Sequence, residues 1–252
     1  MLVEQTMEKL AGMKLKGMAE ALRRWMESPK EKAIPPTDLV GLLADAEWTT
    51  RENRKLTTRL RSARFRQEAC VEDIDYQHPR GLAKAVMLDL ASCHWVNAHQ
   101  NVIFTGETGV GKSYLACALG QKACREGHSV AYRRTSRLLD ELAQARADGT
   151  LFLLLRRLAK TEVLILDDFG LEVLSPAQRK DLLEVLEDRY GVSSTIVTSQ
   201  LEPKDWHSVI GDATIADAVC DRLVHNAHRV KLGGESIRKT RADLTRNQKP
   251  AK

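Results

Sequence analysis

Cysteine is sparse and unpatterned in this chain. Its 252 residues hold five cysteines, Cys70, Cys93, Cys117, Cys124 and Cys220, with no C-x-x-C spacing among them. That excludes a disulfide framework and a zinc-finger scaffold as organising elements. Cysteines so scattered read as small buried hydrophobes in a reducing compartment. Long apolar stretches are lacking too. Runs such as Leu151–Leu155 stay far below the ~20 residues that a membrane-spanning helix needs. No signal-peptide core stands at the start, because Glu4, Glu8, Lys9 and Lys14 interrupt every apolar stretch. The expectation is a soluble, cytoplasmic protein with no membrane partner. Internal repeats are missing, as are helix-turn-helix, zinc-finger and RRM signatures, so sequence-specific base reading is not indicated.

What is present is charge, unevenly placed. The net charge is +5, but residues 1–66 carry 14 basic and 9 acidic side chains, 67–225 carry 17 and 23, and 226–252 carry 8 and 2. Basic ends around an acidic middle suit a chain whose terminal regions meet a polyanion.

The most informative segment is 101–113. An apolar run, Val102-Ile103-Phe104, leads into Gly106-Glu107-Thr108-Gly109-Val110-Gly111-Lys112-Ser113, followed by Tyr114. This is G-x-x-x-x-G-K-[ST], the P-loop, in the strand-then-helix context it requires. Glycines let backbone N–H groups converge on phosphate oxygens, and the helix that follows aims its positive end at the same anion. Residues 106–114 are therefore the nucleotide-binding candidates. Lys112 reaches the β- and γ-phosphates, and the Ser113 hydroxyl is a ligand for Mg²⁺. A second apolar run, Val163–Leu166, ends in Asp167-Asp168. Two acids at a strand end are costly unless a metal or donors meet them. Asp167 is expected beside the metal and Asp168 beside the water that attacks the γ-phosphate.

The pattern around these motifs predicts the fold. Apolar positions at helical spacing predict one or two short helices over 2–27, ended by Ser28-Pro29. After Ile34-Pro35-Pro36, Thr37 or Asp38 is placed to cap a long helix reaching residue 66. Residues 1–66 thus read as a small all-helical domain, 67–80 as a linker, 81–238 as the nucleotide domain and 239–252 as a basic, disordered tail. Strands are expected at 101–106, 129–134, 162–167, 194–199 and 228–232. Helices are expected at 82–97, 112–126, 135–147, 151–159, 176–190 and 214–226. That alternation is a doubly wound α/β fold with a parallel five-stranded sheet and ligands at the carboxyl ends of its strands.

Three further segments resemble pieces of the AAA+ class of P-loop NTPases. Thr195–Gln200 ends where that class carries a polar sensor for the attacking water. Ser199 is the first choice, with Thr198 and Gln200 behind it. Asp221-Arg222-Leu223 resembles the segment carrying an arginine finger, which acts in trans on a neighbouring subunit's nucleotide. The alternative is a helix-surface Arg222 paired with Asp217 or Asp221. Arg238 is a candidate second nucleotide-sensing arginine. The second acid departs from the class, which usually has Glu where Asp168 stands. Asp is one methylene shorter, so slow turnover is expected. A basic run, Arg51, Arg54, Lys55, Arg59, Arg61, Arg64 and Arg66, holds one acid, Glu52. It is either a solvated face or a phosphate-contacting one. Arg133, Arg134 and Arg137 are further DNA-binding candidates. Binding through such residues is backbone-driven and salt-sensitive.

Together these residues resemble the IstB family, ATPase helpers of insertion-sequence transposition, related to the DnaC/DnaI helicase loaders within AAA+. The carriers are Leu15-x-Gly17-Met18, Gly106–Ala116, Asp167-Asp168-Phe169-Gly170, Thr198-Ser199-Gln200, Asp221-Arg222-Leu223 and Gly234-x-Ser236-x-Arg238. The likeness spans about residues 2–240, and the usual helical lid is short or absent. It implies ATP and Mg²⁺ as cofactors and self-assembly on duplex DNA, with nucleotides at subunit interfaces. It also implies recruitment and stimulation of a partner transposase, and an influence on target choice. A replicative helicase loader is the alternative. A small-molecule kinase and a DNA scaffold that binds ATP without useful hydrolysis are more distant ones.

Overall fold

The structure is a computed structural model that describes residues 2–27 and 34–237. The turn expected at Ser28-Pro29, the candidate Arg238, the expected short lid and the tail 239–252 lie outside the described residues. The chain divides into two compact units, Met1–Thr58 and Arg59–Lys252.

The first unit is helical. Helices α1 (Leu2–Gly12) and α2 (Lys16–Glu27) precede α3 (Pro36–Ala63), which runs on into the second unit. Pro36 opens α3 one residue before the expected cap, since proline pre-sets the helical φ where no N–H partner is needed. A tertiary contact joins α2 to α3. The carboxylate of the buried Glu47 accepts from the backbone N–H of Gly17 at 2.8 Å and of Met18 at 3.2 Å. Those are orphan donors of the first turn of α2, next to the positive end of its dipole. Arg51 pairs with the same carboxylate at 2.7 Å. This bond and the two N–H groups outweigh burial, which works the other way, and hold Glu47 below the usual carboxylate range. A Cβ on Gly17 would come within 2.5 Å of the Ala46 carbonyl oxygen. The close approach of the two helices is why glycine stands there.

The second unit is built on strands β1 (Asn101–Thr105), β2 (Val130–Arg134), β3 (Val163–Phe169), β4 (Ser194–Ser199) and β5 (Ala227–Lys231). They form one parallel sheet in the order β2-β3-β4-β1-β5. β1 and β4 are buried along their whole length, as central strands covered on both faces must be. Connecting helices are α4 (Lys84–Ala91), α5 (His94–Asn97), α6 (Lys112–Arg125), α7 (Thr135–Ala147), α8 (Leu151–Ala159), α9 (Pro176–Glu187), α10 (Trp206–Ile210) and α11 (Ala213–Val224). α9 starts with a capping box between Ser175 and Gln178 and proline in its first turn. Leu138, Leu164, Leu182, Val197 and Trp206 belong to one continuous buried cluster. All five cysteines are free, with Cys93, Cys117 and Cys124 buried. Among the described residues no helix is long and apolar enough to cross a membrane.

Three expectations need correcting. The helix expected over 82–97 is broken, because Cys93 takes a left-handed φ of 60° between α4 and α5. Residues 203–210, where no element is expected from the sequence, form a 3-10 turn and α10, which sinks the fully buried Trp206 against Phe169. The first unit also ends at Thr58, eight residues before the expected domain boundary. Ala63 is buried and Phe65 lies beside Gly120 of α6, which holds 59–66 in the second unit.

Candidate nucleotide site at the strand ends

The P-loop joins β1 to α6, and Lys112 is the first residue of that helix. Gly106, Gly109 and Gly111 all have positive φ. The Lys112 ammonium donates to the carbonyls of Gly106 at 2.7 Å and Glu107 at 2.8 Å, so the lysine lies along the loop. A cavity of about 350 Å³ opens here, lined by Thr108, Gly109, Gly111, Lys112, Ser113 and Tyr114 from the loop and α6. Arg80, which the sequence did not single out, braces the loop from below. It is 2% exposed and donates to the carbonyls of Val110 at 3.2 Å and Asp75 at 2.8 Å. Burial lowers its pKa despite the nearby acid.

The acid pair meets the loop from β3. Asp167 is fully buried and surrounded by hydroxyls. It accepts from Ser113 at 2.7 Å and Tyr132 at 2.5 Å, and from Thr198 of β4. Burial, then the bond to Asp167, pushes the Tyr132 phenol well above its ordinary range. Regular strand alternation would send Asp167 and Asp168 to opposite faces. The pairing of β3 with β4 slips between Leu166 and Phe169, and Asp168 takes a φ of 58°. This bulge turns both carboxylates the same way. The Arg66 guanidinium lies 3.6 Å from an oxygen of each, and Arg134 lies 3.2 Å from Asp168.

The sensor candidates separate. Ser199 is fully buried and does not line the cavity. Its hydroxyl donates to the Phe169 carbonyl at 2.8 Å and accepts from Leu201 N at 3.1 Å and the Trp206 indole at 3.3 Å. Its bonding is spent on anchoring α10. Thr198 bonds Asp167 and the Asp168 N–H, while Gln200 is the member that lines the cavity.

Arg222 lies at the other end of the sheet. Asn101, which begins β1, donates to the carbonyls of Arg222 at 2.9 Å and Leu223 at 3.2 Å. The Arg222 side chain pairs with Glu187, not with Asp217 or Asp221, and lies over the Tyr190 ring. The DNA candidates also divide. Arg51, Arg54, Lys55, Arg61, Arg64 and Arg137 are exposed and Arg59 is half-buried. Arg51 and Lys55 pair with Glu47 and Glu52 on their own helix. Arg133 is mostly buried against Glu141 at 3.1 Å, and Arg134 serves Asp168.

Among the described residues no group of three or more His, Cys, Asp or Glu is placed to hold a metal. The pair Ser113 and Asp167 nonetheless fits Mg²⁺, which takes hard oxygen ligands and completes its shell with phosphate and water.

Comparison with known proteins places the chain. The family of IstB-like ATP binding proteins matches residues 8–245. A putative insertion sequence ATP-binding protein of Sinorhizobium fredii is 50% identical over 239 residues, covering 95% of this chain and 98% of the relative. In fold, the chain is similar to the DnaC helicase loader, at a TM-score of 0.54 and 22% identity over 65% of this chain and 96% of that one. AMPPCP-bound DnaA from Aquifex aeolicus gives a TM-score of 0.58 at 16% identity over 75% of this chain and 58% of that one.

Proposed function

The chain belongs to the family of IstB-like ATP-binding proteins and is an ATPase, and from that premise we propose that it is an ATP-dependent DNA-binding helper of transposition. The observation that carries the reading is the division of the chemistry between two ends of one sheet. Lys112, Ser113 and Asp168 line the cavity and Asp167 stands behind them, bonded by Ser113, while Arg222 sits where β1 begins. In this reading an arginine so far from its own subunit's cavity serves another subunit's nucleotide. The site is thus completed by assembly, with nucleotide at the interface.

In this reading ATP lies with its phosphates on the P-loop. Lys112 exchanges its two loop carbonyls for the β- and γ-phosphates, and α6 presents its N-terminus to them. Ser113 and Asp167 would hold Mg²⁺, which when bound would neutralise developing charge on the phosphates. Thr198 fixes the Asp167 carboxylate, and Gln200 is the polar group placed to orient water. Asp168 takes the proton as the water oxygen bonds to the γ-phosphorus. The bridging P–O bond breaks with its electron pair going to ADP, and phosphate leaves. Arg222 of a neighbouring subunit stabilises the charge on the transferring group.

ATP binding then favours self-assembly on duplex DNA. The exposed cations Arg51, Arg54, Lys55, Arg61, Arg64 and Arg137, with the half-buried Arg59, contact the phosphate backbone with little sequence preference. The assembly recruits and stimulates a transposase and influences target choice, and hydrolysis resets it. The helicase-loader alternative rests on likeness of fold alone. Electron microscopy with long duplex DNA and a slowly hydrolysed ATP analogue tests the assembly; an ordered multi-subunit array is expected. Pull-down with a transposase and with a hexameric helicase tests the partner. Capture of the helicase only would overturn the helper reading.

A further inference from the structure

Three cations line the cavity among the described residues: Lys112, Arg80 and Arg66. Lys112 lies on two loop carbonyls, and Arg80 is buried with its ends on the carbonyls of Val110 and Asp75. Arg66 differs from both. It comes from the segment just after α3 and faces the acid pair. Its distance of 3.6 Å to each carboxylate is too long for a committed hydrogen bond but short enough for strong attraction.

The position is built. Ala63 is fully buried, and Arg64 takes a φ of 55° that turns the chain out of α3. Phe65 then packs beside Gly120 of α6 and Ile165 of β3; a Cβ on Gly120 would come within 2.7 Å of the Phe65 ring. The aromatic ring wedges the segment against the helix that starts with Lys112. Burial works against the Arg66 charge, but Tyr132 and the two carboxylates outweigh it and hold the guanidinium above its ordinary pKa. Arg134, the other arginine near Asp168, does not line the cavity.

We infer that Arg66 is a catalytic residue of the ATPase, acting in cis and contacting the terminal phosphate of ATP. The inference rests on the reading that Asp167 faces Mg²⁺ and Asp168 the attacking water. An arginine poised between those two acids stands at the reacting end of the cavity. The planar guanidinium matches phosphate oxygens with paired N–H donors, which a lysine does only as a point charge. When water adds to the γ-phosphorus and ADP departs with the electrons of the broken P–O bond, Arg66 balances charge on the transferring oxygens. ADP lacks that phosphate, so the contact distinguishes the two nucleotides. Because Arg66 follows α3 within three residues, the helix carrying the basic run is covalently tied to a reader of nucleotide state.

The test is equilibrium binding of a slowly hydrolysed ATP analogue and of ADP, with Mg²⁺, to full-length wild type, Arg66→Ala and Arg66→Lys. Losing a charged hydrogen bond predicts about ten-fold weaker binding of the ATP analogue to Arg66→Ala, with ADP binding changed less than about two-fold. Arg66→Lys should recover part of the difference. Equal loss for both nucleotides would mean a structural role, and tighter ATP binding would mean a mere counter-ion; either overturns the inference. Asp167→Asn separates the failures. If its nucleotide binding keeps the wild-type response to Mg²⁺, the reading of the pocket is overturned and Arg66 with it. If that response is lost while Arg66→Ala binds both nucleotides normally, only the Arg66 assignment falls.

Discussion

Two buried polar clusters occupy opposite ends of the same strands, and they are built differently. Where the strands begin, Arg189 is 1% exposed and gives its donors to the carbonyls of Leu158, Thr161 and Ser194. Burial alone lowers its pKa to about 9. Asn101 likewise spends itself on Arg222, Leu223 and Thr195 backbone. Where the strands end, Asp167 gathers Thr198, Tyr132 and Ser113 around it, and Arg66 and Asp168 border the cavity that Lys112 and Ser113 share. The first cluster closes on backbone groups and ties elements together. The second leaves charged side chains facing a space. A cavity borders each cluster, so neither burial of a charge nor a neighbouring cavity identifies a site; the kind of partner the charge has does.

Substitutions at the two ends should separate accordingly. The largest effect is expected from Lys112→Ala, which should abolish ATP hydrolysis and ATP-dependent assembly on DNA, read by phosphate release and sedimentation. Unchanged assembly would rule out nucleotide-driven polymerisation. Arg222→Ala is the exception that sharpens the contrast, since it lies where the strands begin yet should cost about 10³-fold in assembled turnover. Its ATP affinity at dilution should match the wild type. Asp168→Asn should spare ATP binding, slow single-turnover hydrolysis by about 10²-fold and lengthen the life of the DNA complex. Normal hydrolysis would remove Asp168 from its role. Arg189→Ala should leave ATP affinity unchanged but cost about 3 kcal/mol of stability, because three carbonyls lose their donor. A denaturant midpoint shift reports it, and a large loss of ATP affinity instead would break the contrast between the ends.

Much of this was legible in the sequence. The P-loop needed only its spacing, and the five strands fell within a residue or two of expectation because apolar runs bounded by polar turns leave little choice. The helices of 2–27 and the long α3 followed from periodicity. What escaped were contacts that no local pattern encodes. Arg66 looked like one more member of a basic run, because nothing in its neighbours reveals that Phe65 wedges it toward β3. Arg134 looked available for DNA until β2 lay beside β3 and set it against Asp168. Ser199 and Gln200 are adjacent in sequence, and only the burial of Trp206 shows that the Ser199 hydroxyl is already used. Arg80 follows a proline in a segment read as linker and carries no motif. The break at Cys93 is a backbone choice that cysteine does not advertise.

The central claim is that the ATPase site has two halves supplied by different subunits. Mixing tests it directly. Lys112→Ala retains the arginine but lacks a working pocket, and Arg222→Ala retains the pocket but lacks the arginine. Each alone should be nearly inactive with duplex DNA. Mixed at equal concentration, they should recover a substantial fraction of wild-type hydrolysis, because interfaces joining an intact pocket to an intact Arg222 form. A mixture that stays as inactive as its parts, or an Arg222→Ala protein that hydrolyses ATP at the wild-type rate by itself, would contradict the account.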